Sequence, residues 1–388
     1  MPEKSQENVY RLGFVSLFTD LSSQMIYPLI PAFLESLGAT KFLIGVIEGV
    51  AEGTASFVRM IAGAFSDRLR KRRLFVFLGY SLSTLVKPFL FLAHHWLVVF
   101  VVRFLDRVGK GIRTPARDAL IADSVDPCRK GLGFGFHRGM DRLGAALGPL
   151  LAMLVLSLTQ GNVRMVFLLS VVPAAVAVGI IGKVREIAPL REAAERLSED
   201  RKALGRGFSL FIVSVVLFTL GNSSNAFLIL KATEVGLSVS GVPLIWLTYN
   251  LVSSASSPVF GGLSDRVGRK PVILLSFLVY GAIYAGFGFS STLPAVWLLF
   301  ACYGLHYGLS EGIFRVYIAD LVESHKRATA YGLFNTAVGI TLVPSSIIFG
   351  ALWDSFSSKA AFLVSAGLAI LAAVVFLATQ MGKGRSAS

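Results

Sequence analysis

Several ionisable residues stand deep inside long apolar runs, and they are the first candidates for chemistry. Asp20 lies well within the first run, among Thr19, Ser22, Ser23 and Gln24. A carboxylate holds a proton more tightly when it is desolvated and less tightly when a cation faces it. A group moved between those two settings therefore takes up and releases a proton. Glu48, Glu52 and Arg59 follow in the second run, at spacings that put them on one face of a helix. The fourth run carries Arg103, Asp106, Arg107, Lys110 and Arg113, and the fifth carries His137, Arg138, Asp141 and Arg142. In the second half of the chain the density falls to Lys231, Glu234, His306, Glu311 and Arg315.

Charges at membrane depth are costly, which makes each of these a functional candidate. Asp20, Glu48, Glu52, Asp106 and Asp141 are read as carboxylates for proton coupling. Arg103, Arg107, Lys110, Arg138, Arg142 and Glu311 are read as residues facing a substrate cavity. A bland alternative stands beside this: Asp106 and Asp141 pair with arginines on the neighbouring helix and lock the helices together. The surplus of cations over carboxylates in the fourth and fifth runs instead suggests attraction for an anionic group.

The elements that position these residues follow from composition. The chain of 388 residues is 54% hydrophobic and 15% charged, with a mean hydropathy of +0.69. Soluble domains carry about 25% charged residues, so the membrane class is expected. The net charge of +14 does not point to nucleic acid, because the basic residues cluster at the ends of apolar runs, as loops on the cytoplasmic side of a bilayer do. Two distant cysteines, Cys128 and Cys302, fit neither a disulfide framework nor a zinc site. The polar start, Met1 to Asn8, predicts no removable leader.

About 20 apolar residues span a bilayer as a helix, and twelve such spans are expected. They cover 10–36, 43–66, 73–93, 95–121, 131–158 and 163–183, then 207–233, 240–264, 271–290, 294–321, 328–352 and 359–381. The reading is thus all-α, with bundles over 1–183 and 207–388 joined by a linker over 184–206. That linker's alternating charges suit an amphipathic helix. The more basic loops hold Arg68 to Arg73, Arg129-Lys130, Lys183 to Arg206, Arg266 to Lys270 and His325 to Arg327. They are expected on the cytoplasmic side of the cell (inner) membrane, together with both termini.

The two halves echo each other. Gly63-Ala-Phe-Ser-Asp67-Arg68-Leu-Arg-Lys-Arg-Arg73 returns as Gly261-Gly-Leu-Ser-Asp265-Arg266-Val-Gly268-Arg269-Lys-Pro271, with Asp265 lying 198 positions after Asp67. Ile121-Ala-Asp123 matches Ile318-Ala-Asp320, and Phe18-Thr19 matches Phe218-Thr219. Two six-helix halves related as parallel repeats are a known transporter architecture.

At these residues the chain resembles the major facilitator superfamily. The hairpin is similar to that family's signature Gly-x-x-x-Asp-Arg-x-Gly-Arg-Lys/Arg. The second copy matches it in full, while the first has Leu69-Arg70 around the glycine position. Gly144-Ala-Ala-Leu-Gly148-Pro149 resembles the Gly-x-x-x-Gly-Pro core of the family's antiporter branch, and its glycines also allow close helix packing. Arg103 with Asp106-Arg107 is near the family's Arg-x-x-Gln-Gly pattern, departing at the last two positions. The resemblance implies that spans one, four, seven and ten line a cavity and that three, six, nine and twelve pack outside. The charges avoid the outer set except for Lys87 and the span ends. It also implies gating by Gly63, Asp67, Arg68, Gly261, Asp265, Arg266, Gly268 and Arg269.

The expected function is proton-coupled export of a small organic compound by alternating access, in the manner of drug/proton antiporters. A carrier of an organic anion or lipid-like molecule is the alternative, and a metal or siderophore exporter is a lesser one. No cofactor and no nucleotide-binding loop are expected, nor any enzymatic constellation. Partners are a small-molecule substrate, protons or sodium in their place, and the lipid bilayer, for a monomer with no nucleic-acid role.

Overall fold

The computed structural model describes residues 3–69, 71–125, 130–186, 204–323 and 326–384. Among them every regular element is helical. The expected linker helix falls largely on residues outside this set, as does Cys128.

The chain forms α1 (Glu3–Ile26), α2 (Ile30–Ser36), α3 (Lys41–Leu69), α4 (Arg72–Val86), α5 (Pro88–Phe91), α6 (Trp96–Ser124), α7 (Lys130–Leu158), α8 (Val163–Leu169) and α9 (Val171–Ile181). It continues with α10 (Arg206–Gly221), α11 (Ala226–Glu234), α12 (Val242–Val267), α13 (Arg269–Phe289), α14 (Leu293–Leu321), α15 (Arg327–Ser355) and α16 (Ser358–Gly384). Several expected spans are therefore broken helices. Pro28 and Pro31 interrupt the first, Pro88 the third and Pro173 the sixth, since proline lacks the N–H that continues a helix. The seventh breaks without proline, at Asn222-Ser-Ser-Asn225 between α10 and α11.

Among the described residues, eight helical stretches are long and apolar enough to cross a membrane. The four expected spans missing from that set are one, two, four and eight. They are helices too, but three carry the charged residues singled out above. The fourth, α12, is rich in serine, with Asn250 and Pro258. Polarity sets them apart, not length.

The fold divides into two compact units. The first comprises Met1–Gly38, Thr54–Glu199 and Val239–Leu247, and the second Ala39–Gly53, Asp200–Ser238 and Thr248–Ser388. In the first, α1 packs on α7 and α9, and α4 packs on α6 and α9. In the second, α10 packs on α15 and α16, and α13 packs on α14 and α16. The same pairing scheme is thus built twice.

Helix starts receive carboxylates from distant parts of the chain. Glu186 accepts from the backbone N–H of Arg72 at 2.9 Å and of Arg73 at 2.8 Å, capping α4. Asn8 and Arg185 exchange two hydrogen bonds of 3.0 Å, and Arg11 donates to Lys183 O. Residues 183–186 are thereby strapped to α1 and α4. In the second unit Asp354 caps α3, accepting from Lys41 N at 3.1 Å and Phe42 N at 2.7 Å. A lost cap costs about 1 kcal/mol, so Glu186→Ala is expected to lower the apparent melting temperature of the purified protein by a few degrees. An unchanged melting curve would remove the capping role.

Candidate functional site

The first unit holds most of the chemistry. The seam between α1 and α7 is a glycine face. A Cβ on Gly144 would press on Leu17 O and approach Asp20 Cβ to 3.2 Å, and one on Gly148 would lie 2.7 Å from both Gln24 Cβ and Leu21 O. The resemblance to an antiporter core thus falls on residues with a packing duty, and Pro149 is buried beside them. The seam sets Asp20, half-buried, against α7. Lys110, Arg113 and Arg117 from α6 and Asp141 from α7 all act on its charge. Asp141 accepts a hydrogen bond from Ser16 of α1, and His137 Nδ1 lies 3.6 Å from its other oxygen. Ser16, Asp141 and His137 therefore form one string of polar groups along the seam, with Asp20 one helical turn from Ser16 on α1.

The crossing of α4 and α6 is closer still. A Cβ on Gly79 would lie 2.8 Å from Arg113 N, and one on Gly109 would lie 2.6 Å from Gly79 O. This contact brings Ser83 of α4 onto α6, where its Oγ accepts from Arg113 Nη1 at 2.6 Å. The guanidinium of Arg113 stacks over Tyr80 at 4.5 Å, and that of Arg103 lies over Tyr27 at 5.5 Å. Arg103, Arg107 and Arg113 are buried, whereas Asp106 and Lys110 are half-buried. Arg107, Lys87, Arg113 and Arg103 all act on Asp106, whose Oδ1 is enclosed with no hydrogen-bond partner among the described residues. On α7, Arg142 is half-buried and Arg138 exposed.

Lys87, the sequence's exception to the outer-span rule, belongs to this site. It lies at the break between α4 and α5, buried, and donates to Ser22 Oγ and, at 3.5 Å, to Ser23 Oγ of α1. Its place beside Pro88 was the available signal, because a proline break turns the helix end aside. Gln24 Oε1 accepts from Trp246 Nε1 at 2.8 Å, and Tyr27 packs on the same indole at 5.1 Å.

Glu48 and Glu52 are placed differently from Asp20. They lie on the part of α3 that belongs to the second unit, Glu48 buried and Glu52 half-buried. There Gly45 and Gly49 pack directly on the backbone of α15 at Ser346 and Val343. The second unit also satisfies the break between α10 and α11. Tyr280 donates to Gly221 O at 2.9 Å, Tyr303 donates to Asn225 Oδ1 at 2.8 Å, and Ser224 N donates to Ser346 Oγ at 3.2 Å. His306 is buried against Tyr280 and Tyr303. The side chain of Glu311 lies outside the described ones.

The basic hairpins are paired to the helices beside them. In the second unit Arg269 bridges Asp265 at 2.9 Å and Asp320 at 3.2 Å. In the first unit Arg72 pairs with Asp123. Both of these pairs are offset by 197 positions, one fewer than the aspartates of the two motifs, so the first hairpin is one residue longer. Gly268 has φ +89 and starts α13, a backbone that glycine adopts without strain. In the first hairpin Lys71, with φ −118, precedes α4. Arg68, Asp265 and Arg266 are exposed, Gly63 and Gly261 half-buried, and the side chain of Asp67 lies outside the described ones. Among the described residues no group of His, Cys, Asp and Glu is arranged to hold a metal ion.

Apolar helices in two like-built units, with ionisable clusters inside them and a paired basic hairpin on each, define a multi-pass membrane transporter. The chain belongs to the Major Facilitator Superfamily, whose model matches residues 12–220 and again 210–386. It is 37% identical to an uncharacterized MFS-type transporter of Methanocaldococcus jannaschii, over 96% of this chain and 94% of that one. It is 35% identical to the class C tetracycline resistance protein of Escherichia coli, over 31% of this chain and 30% of that protein. In fold it is similar to a crystal structure of a mutant of the nucleoside transporter NupG, with a TM-score of 0.80, 14% identity and coverage of 96% and 99%. The matched family, the M. jannaschii relative and the structural neighbour are transporters and not enzymes, in agreement with the class read from the sequence.

Proposed function

We propose that this transporter exchanges protons for a small organic compound, exporting the compound by alternating access with Asp20 as the coupling carboxylate. One observation carries this reading. Asp20 sits half-buried on the glycine seam of α1 and α7, with cations of α6 and the Ser16–Asp141–His137 string beside it. Such a carboxylate shares its negative charge either with a proton or with the cations, and a change of surroundings moves it from one to the other. Similarity to a tetracycline resistance protein over part of the chain supports outward movement. The Arg72–Asp123 and Arg269–Asp265–Asp320 pairs supply contacts that hold one of two states until a helix moves. The protein works as a monomer in the cell (inner) membrane, with both termini in the cytoplasm.

The test is proton movement into liposomes that hold the purified protein and a trapped pH dye. A panel of lipophilic cations, organic anions and lysolipids is added under an imposed proton gradient, with a sodium gradient as the control arm. Compound-evoked proton flux under the proton gradient is expected. Compound movement with no proton signal would overturn the exchange reading.

A further inference from the structure

Lys87 is 4% exposed and lies where α4 ends and α5 begins, directly before Pro88. Its ammonium donates to Ser22 Oγ and, at 3.5 Å, to Ser23 Oγ of α1, and it forms no ion pair among the described residues. Hydroxyls orient a buried ammonium but leave its charge uncompensated, which costs more than pairing with a carboxylate. Ser22 is itself committed, donating to Ser170 O at 2.6 Å. Along α1, Ser16, Asp20 and Ser23 follow at i, i+4 and i+7, so they share one helix face. Asp20 and Ser23 are therefore neighbours, with roughly 5–6 Å between their Cβ atoms. Asp20 also forms no ion pair among the described residues. An acid and an amine thus stand about one helical turn apart, each without the other. Opposite charges so placed away from water attract strongly, and their separation fits an Asp20 that carries its proton. The other charged groups near Lys87 are Asp106 and Arg113 of α6. Ser83, one turn before Lys87 on α4, accepts from Arg113 at 2.6 Å and donates to the backbone of Asp106 at 3.2 Å.

We propose that Lys87 is the switching counter-ion of Asp20. While Asp20 holds a proton, the ammonium rests on Ser22 and Ser23. When that proton leaves to water, the flexible stem of Lys87 carries the ammonium along α1 to the new carboxylate, and reprotonation sends it back. Lys87 stays protonated throughout, so the only proton moved is that of Asp20. It is a positioning residue, acting through Asp20, and this role rests on the exchange reading above. Its place before Pro88, where the helix ladder is already broken, ties the swing to the end of α4.

The test is infrared difference spectroscopy of the full chain in lipid, titrated with pH, with no compound and no gradient. The C=O band of protonated Asp20 is assigned by its loss in Asp20→Asn. Lys87→Gln keeps a donor for Ser22 and Ser23 but removes the charge. It is expected to move the midpoint of that band up by about one pH unit, because the carboxylate loses a stabilising cation. Lys87→Arg is expected to leave the midpoint in place. Ser22→Ala, which weakens the resting place of the ammonium, is expected to move it down. An unmoved midpoint in Lys87→Gln overturns the counter-ion role, whatever happens to the melting temperature. So does a shift confined to the band lost in Asp106→Asn. Should Lys87→Gln not fold, an unmoved midpoint or an upward shift in Ser22→Ala overturns it. Absence of any Asp20 band would remove Asp20 as the proton carrier, whereas an unmoved midpoint removes Lys87 alone and leaves the exchange reading standing.

Discussion

Asp20→Asn is expected to reduce compound-evoked proton flux to the level of empty liposomes while leaving exchange of compound across the bilayer intact. Asparagine keeps the volume and the hydrogen-bonding reach of the side chain but never ionises, so it removes the proton and little else. The packing is set to tolerate the change, because the contact across the seam is between Gly144 and the Cβ of Asp20, which both residues share. Asp141 shares the seam, and its hydrogen bond from Ser16 already commits one oxygen. The corresponding Asp141→Asn variant therefore gives a second reading of where the proton is carried. Proton flux that survives in Asp20→Asn and disappears in Asp141→Asn would move the coupling group from α1 to α7. Survival in both would remove the string from the mechanism.

Gly148→Val should be the most damaging change to the fold. Any Cβ at this position comes within 2.7 Å of Leu21 O, a backbone atom that cannot turn aside, and within 2.7 Å of Gln24 Cβ. Helices α1 and α7 must then separate, and overpacking of this kind costs about 1–3 kcal/mol before lost contacts are counted. The shift also pulls Gln24 from its hydrogen bond with Trp246. Gly139→Val on the same helix is the matched control, since nothing lies within 4 Å of a Cβ there. Size-exclusion profiles and melting curves should show loss of monodisperse protein for Gly148→Val and little change for Gly139→Val. Equal behaviour of the two would mean that the seam is not set by glycine.

Much of this was legible in the sequence because membrane burial writes itself as long apolar runs and duplication writes itself as repeats. The start of α4, the ends of α6 and α13, the small-residue face of α7 and the matched Asp123 and Asp320 could all be read in that way. Other features could not. The partner of Asp123 is Arg72, which the extra residue of the first hairpin shifts away from the position that alignment of the two motifs suggests. Helix α3 runs without a break through Gly53 and Thr54, so nothing local shows that Glu48 and Glu52 belong with α15 in one unit and Asp20 with α7 in the other. The break at Asn222 to Asn225 falls inside what reads as one continuous span over 207–233. Its stabilisation by Tyr280 and Tyr303 depends on contacts across more than 50 positions, a distance over which spacing carries no information.

The strap at residues 183–186 separates the two hairpins in kind. The second begins its helix with a glycine, and among the described residues no side chain caps that start. The first borrows the carboxylate of Glu186, so its helix start is tied to the very residues from which the chain leaves the bundle. A pull, a modification or a bound protein on the connecting segment therefore has a mechanical path to the first hairpin, through two hydrogen bonds, that among the described residues the second hairpin does not share. An apparently symmetric machine would answer a signal on its tether from one side first.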